Sequence, residues 1–421
     1  MSNKICRILQ TLTGALISLP MLVSAETVFE EISVTYDGGG QDPVNSAAVD
    51  VNGSMYITGG RTVSGGTSYY IAKYDSYGRE EWVRIHSTGQ SSWFAHFNTM
   101  TVDRNSNAYV ALSESSNFGK ILKYDADGNE TVLVEGGGIP YNYDHRVGLE
   151  LDKNENNLYL RASYSIKKIS LNGGADWTQL LYNLNTWVRD IAVDDSGNVY
   201  AVGRTQYLTG NGTTDVIVKK FDSNGNELWV QHWYEAGKQN EDAYGLELDS
   251  NGNVYILVQA TNFESSCSYC TTSSIVSFSS NGDVLGSVVL NGTDGYLAGN
   301  IKVADDKVYV TMQRKGTTVL IAQKLNTDLS LAWSTEYSGS ILKPKGLDVD
   351  GLGNVVVGIQ AEYGIMSTVK FDMYGTELWT QNGDGNDSSF VKFGTTGEVY
   401  AAGSKLDAFM YRYGVTQLIC Q

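Results

Sequence analysis

Lys220-Phe221-Asp222-Ser223-Asn224-Gly225-Asn226-Glu227-Leu228-Trp229, preceded by Asp194-Asp195-Ser196-Gly197-Asn198-Val199-Tyr200, is the stretch whose reading decides the fold. The Asp194 phrase returns as Asp249-Ser250-Asn251-Gly252-Asn253-Val254-Tyr255, and looser copies open at Asp50, Asp103, Asp152, Ala304, Asp350 and Gly394, eight in all. Recurrence at such a period marks a repeat architecture, in which one supersecondary unit is copied and stacked.

Each copy follows a short alternating run that ends apolar, at Val49, Val102, Leu151, Val193, Leu248, Val303, Val349 and Phe393. Asp and Asn bond to nearby backbone and Gly accepts positive φ, so D-x-x-G-N reads as a tight hairpin turn. A second strand follows with Tyr in one slot at Tyr56, Tyr109, Tyr159, Tyr200, Tyr255, Tyr309 and Tyr400, with Val356 as the exception in the seventh copy. This regularity assigns the tyrosines to packing. A third strand, a second turn and a fourth strand complete the unit, and Trp229 has equivalents at Trp82, Trp177, Trp333 and Trp379. Four antiparallel strands per unit is the pattern of a propeller blade. The expected fold is therefore all-β, a β-propeller of eight four-stranded blades, with seven blades as the alternative.

The pair of phrases D-x-x-G-N-V-Y and K-[YF]-D-x-x-G-x-x-x-W, complete at Asp194 to Tyr200 and at Lys220 to Trp229, resembles the bacterial secreted β-propeller repeat family over residues 26–414. It is more distantly similar to the repeats of pyrroloquinoline-quinone dehydrogenases, whose Asp-to-Trp spacing is one residue longer, and no cofactor is expected. The resemblance implies a fold rather than a function, because such scaffolds carry many activities.

The last copy stops after its third strand, near Tyr413. The unassigned run Val28-Phe29-Glu30-Glu31-Ile32-Ser33-Val34-Thr35-Tyr36 is expected to supply the missing fourth strand, since an unpaired edge would break the ring. Ahead of it, Lys4 and Arg7, an apolar run from Ile8 to Val23 and the triplet Val23-Ser24-Ala25 read as a signal peptide over residues 1–25. Residues 26–421 then form one propeller domain, secreted to the periplasm or the exterior, with no membrane span. Cleavage removes two basic residues and no acidic ones, taking the net charge from −17 to −19. A field of that sign repels phosphate backbones, so nucleic acid is not an expected partner.

Cys267 and Cys270 are expected to form a small loop disulfide in an oxidising compartment, leaving Cys420 over. No metal is expected: the turns lack the acidic ligands and distant Glu of a calcium loop, and the Ser/Thr-rich surroundings of the cysteine pair offer no further zinc ligands.

Both classes of tight turn fall on one face of a propeller, and the longer connections fall on the other, where function concentrates. The candidate binding residues on that loop face are Trp93, His96, Tyr143, His145, Arg146, Arg189, His232, Trp233, Tyr244 and Lys345. Aromatics beside Arg and Asp suit a sugar or a peptide. A second ring, two residues before each turn, is expected to line the channel and offset its own charges: Glu150, Glu247, Lys302, Asp348 and Lys392, with Ala48, Thr101 and Ala192. The functional expectation is a monomeric, non-catalytic binding module for a carbohydrate or protein. A secreted polysaccharide lyase or hydrolase using the same face, and a cell-envelope assembly scaffold, are the alternatives.

Overall fold

The computed structural model describes residues 26–39, 42–63, 66–87, 99–113, 119–135, 147–174, 176–181, 186–206, 213–235, 238, 240–264, 267–290, 295–339, 341–361, 365–384, 387–404 and 408–417. These residues form eight four-stranded antiparallel sheets. Blades 1 to 7 take consecutive strands over 44–87, 99–134, 148–180, 186–233, 240–289, 296–338 and 341–384. Blade 8 takes its three inner strands from Asp387–Phe393, Val399–Ser404 and Ala408–Gln417, and its outermost strand is Glu26–Tyr36. The ring is thus closed by the first described strand pairing antiparallel with the last, Tyr36 opposite Ala408 and Glu26 opposite Gln417. Among the described residues no helix is long and apolar enough to cross a membrane.

The turn chemistry explains the repeat. In blade 4 the Gly197 amide donates to the Asp194 carbonyl at 2.9 Å, and the Asp194 amide donates to the Asn198 carbonyl at 3.0 Å. Asp194 Oδ1 accepts the amides of Ser196 and Asn198, while Oδ2 accepts Asn198 Nδ2 and the Tyr200 hydroxyl. Gly197 sits at φ 76°, the left-handed region that a side chain disfavours. The slot tyrosines therefore do more than pack: Tyr56, Tyr109 and Tyr255 also give their hydroxyls to the turn aspartate six residues earlier. Burial, reinforced by that aspartate, pushes each of these hydroxyls well above the ordinary tyrosine range.

The core lies between blades. Eight clusters of buried apolar side chains occupy the eight gaps, including one that joins Val34, Tyr36 and Met410 of blade 8 to Met55, Ile57 and Tyr74 of blade 1. Lys and Trp of the repeat fasten neighbouring blades. Lys220 Nζ and Trp229 Nε1 both donate to the carbonyl of Ser280, in the next blade's outer turn, at 3.0 and 3.1 Å. Lys73 and Trp82 converge on Ala126, and Lys168 and Trp177 on Ser223, in the same way. Across the closure, Arg412 of blade 8 donates to the Ser76 carbonyl of blade 1 at 2.6 Å.

Candidate functional site: the loop face of blades 3 to 5

The innermost strands carry a shared irregularity. In blades 1, 4, 5, 7 and 8 the register shifts across one residue, Asn45, Arg189, Tyr244, Lys345 or Ser389, five positions before the turn; in blade 6 it shifts across Gly299 and Asn300. A bulge re-aims a side chain that strict pleating would send into a neighbouring blade. Glycine in the adjoining strand makes room for it. A Cβ on Gly203 would stand 1.9 Å from the Trp187 carbonyl oxygen, so only glycine lets the two strands approach at this bulge. Arg189, Tyr244 and Lys345 therefore hold equivalent stations on the innermost strands of three blades rather than one pocket.

Arg189 is buried and engaged. Its Nε and Nη2 donate to Asp242 Oδ1 and Oδ2 at 2.8 and 2.6 Å, a two-pronged pairing across the gap between blades 4 and 5. Arg204 reaches the same carboxylate, Nη1 to Oδ2, at 3.5 Å, and its guanidinium lies 4.9 Å from the centre of the Trp187 ring. Tyr164, on the tight connection between the second and third strands of blade 3, stands 5.7 Å from Trp187. Trp187 is half-buried. Two aromatic rings, two guanidiniums and a carboxylate thus meet on the loop face, an arrangement able to stack on an apolar ring face and bond to hydroxyl or carboxylate groups.

A second cluster adjoins it. Asp215 is buried at the start of the third strand of blade 4, and its Oδ2 has no hydrogen-bond partner among the described residues. Glu241 is buried in blade 5, where its Oε1 accepts the Glu235 amide at 3.3 Å. Glu235 in turn accepts the hydroxyls of Thr272 and Ser274 at 3.2 and 3.1 Å. Burial, aided by the charges of Asp215 and Glu235, pushes the Glu241 carboxyl up to about 7. Burial also raises Asp215, with His232 opposing, and lowers His232, with Asp215 opposing.

His232 is exposed at the end of its strand, and Trp233 is half-buried against the core between blades 4 and 5. Trp93, His96, Tyr143, His145 and Arg146 lie outside the described residues. Cys267 and Cys270 begin the strand Cys267–Phe278, and their side chains lie outside the described residues. Sequence reasoning missed Trp187, Tyr164, Arg204 and Asp242. Trp187 carried a usable signal, being one of three tryptophans outside the repeat slot; the other three sit within or beside blade strands and carry none.

The ring of residues two before each turn stands at one level, each opposite the tyrosine slot, from Ala48 opposite Tyr56 to Lys392 opposite Tyr400. Lys302 Nζ meets Glu247 Oε1 at 3.1 Å. Asp190 adds a fourth acid, accepting the Leu246 amide at 3.0 Å and lying 4.0 Å from Arg161. Enclosure by the blades, with the charges of Asp190 and Glu247, pushes the Glu150 carboxyl up to about 8, while Lys302 pulls it the other way. Among the described residues no group of three or more His, Cys, Asp or Glu side chains is placed to hold a metal ion.

Residues 176–207, from the outer strand of blade 3 into the second strand of blade 4, match the model of the SBBP family, described as a beta-propeller repeat. The chain carries a β-propeller repeat. The match begins on an outer strand, so the repeat is offset from the blade by one strand, the same offset by which the ring is closed. The fold is similar to that of "Structure of Dos1 propeller", with a TM-score of 0.61 and 10% identity over 93% of this chain and 97% of that one. It is similar also to "Crystal structure of Sqt1 from Chaetomium thermophilum solved by MR", with a TM-score of 0.61 and 10% identity over 92% and 100%. At such identity the likeness is one of fold. No curated protein sequence matches the chain.

Proposed function

We propose that the chain is an exported, non-catalytic binding module that takes a carbohydrate on the loop face of blades 3 to 5. The observation that carries this reading is the half-buried Trp187 ring in contact with Arg204 and Tyr164, beside the Arg189–Asp242 pair. A sugar presents an apolar C–H face to such a ring and hydroxyls to the flanking guanidinium and carboxylate. The basic, apolar leader over residues 1–25 supports export. The test is a glycan array with the wild-type chain and with Trp187→Ala and Arg204→Ala. Binding by the wild type that both variants lose, with their folds intact, supports the reading; an array without hits, or undiminished binding by Trp187→Ala, overturns it.

A second reading, a hydrolase or lyase on the same face, draws on one observation: the Glu241 carboxyl, pushed up to about 7 beside Asp215, is poised for general acid–base work. Product analysis of any glycan bound on the array separates the two, since turnover abolished by Glu241→Gln belongs to the enzyme.

A further inference from the structure

The two guanidiniums of the loop-face site are not equally satisfied. Arg189, with a side chain only 5% exposed, gives Nε and Nη2 to the two oxygens of Asp242 at 2.8 and 2.6 Å. Such a two-pronged pairing matches one positive charge to one negative charge. Arg204 reaches a carboxylate that is already engaged. Its bond there, from Nη1 to Oδ2, is 3.5 Å long, and its Nε has no acceptor among the described residues. The Arg204 side chain is nevertheless 33% exposed. Two guanidiniums therefore face one carboxylate, and the group carries one positive charge in surplus.

Trp187 fixes where that charge sits. The two residues stand opposite each other on the first and second strands of blade 4, with the guanidinium 4.9 Å from the ring centre. Stacking engages the face of a guanidinium and leaves its N–H donors in its own plane for a fork of bonds. Blade 6 shows the contrasting arrangement. There Arg314 stands opposite Tyr296 across the same two strands, 5.9 Å from the ring, and its Nη2 donates to Glu336 of its own blade. The aromatic and arginine pair of blade 6 is closed by an acid of its own, and the pair of blade 4 shares one that Arg189 already holds.

The surroundings limit what the surplus can take. The chain carries a net charge of −17, and Asp215, Glu235 and Glu241 adjoin the site. A field of that sign repels a ligand with many anionic groups. A single carboxylate in contact with the partly buried Arg204 is attracted at short range, where screening is weakest.

We infer that the saccharide taken by this face is acidic: it carries one uronate, whose ring packs on Trp187 and whose carboxylate accepts from Arg204. A carboxylate is planar like the guanidinium and accepts two parallel bonds from it. The inference rests on the loop face being a glycan site, and adds to that reading the charge of the ligand.

The test is an array of oligosaccharides that each bear a single glucuronate or galacturonate, printed beside their methyl esters, their neutral parents and sulfated counterparts. It is probed with the full wild-type chain, Arg204→Gln and Arg204→Lys, with thermal melting to show that each variant folds. The wild type should bind the free acids about tenfold or more tighter than the matching esters. Arg204→Gln should bind acid and ester alike, and Arg204→Lys should keep part of the preference because it keeps the charge but not the fork. Esters, neutral parents or sulfated glycans bound as tightly as the acids overturn the inference and leave the glycan reading standing. So does an acid preference that survives Arg204→Gln. An array without hits overturns the glycan reading itself, and the inference with it.

Discussion

Replacing Trp229 and Trp379 by Phe, one at a time, separates two tryptophans that hold the same position in the repeat. Both rings sit between blades, and Phe keeps an aromatic face while deleting the indole N–H. In Trp229→Phe the bond to the Ser280 carbonyl is lost, worth about 0.5–1.5 kcal/mol net, although Lys220 still serves that carbonyl. In Trp379→Phe no bond is lost, and a buried donor whose burial costs about 1–3 kcal/mol is removed. The packing loss from the smaller ring is common to both. Trp229→Phe should therefore destabilise the ring by about 1.5–4.5 kcal/mol more than Trp379→Phe. Guanidinium denaturation at high dilution, where any association is suppressed, reads this as a difference in midpoint at constant slope. Equal losses, or a larger loss for Trp379→Phe, would refute the account of how blades are fastened.

Deleting residues 29–36 removes the strand that completes blade 8 and should abolish cooperative unfolding of the whole ring; a variant that melts alongside the parent contradicts closure by that strand. Glu150, held at about 8 against an ordinary 4.5, contributes stability that is complete below about pH 4.5 and lost as pH rises through 8. Glu150→Gln should thus gain on the wild type between those two pH values, and an unchanged difference across the range excludes a raised carboxyl. Gly203→Ala forces a Cβ against the Trp187 carbonyl and should cost about 3 kcal/mol by thermal melting. It should also weaken any ligand that needs Trp187, and wild-type stability in that variant would show the bulge to be dispensable.

Several parts of this molecule can be read without coordinates because their causes are local or periodic. An Asp that bonds two amides within four residues, followed by a Gly at positive φ, specifies its turn from a handful of neighbours, and it does so eight times with variations. In blade 6 the variation is a shorter turn in which Asp305 and Asp306 both take positive φ. The alternation around each tyrosine then sets the strands, and the missing fourth strand of the last copy points to Val28 through Tyr36. The residues two before each turn share one level opposite the tyrosine slot for the same reason, a fixed offset from the turn.

Tertiary structure alone decided which residues meet across a gap between blades. Arg189 and Asp242 lie in different blades, and nothing in the periodicity marks one as the other's partner. Trp187 and Arg204 share a blade but belong to stretches outside the repeat slots, brought together by a bulge that inserts one residue into the pairing. The lone N–H of Trp379 is subtler still. Its sequence surroundings match those of Trp229, and only the closure of the ring, which replaces a turn by two strand ends, removes the carbonyl that the same residue finds elsewhere.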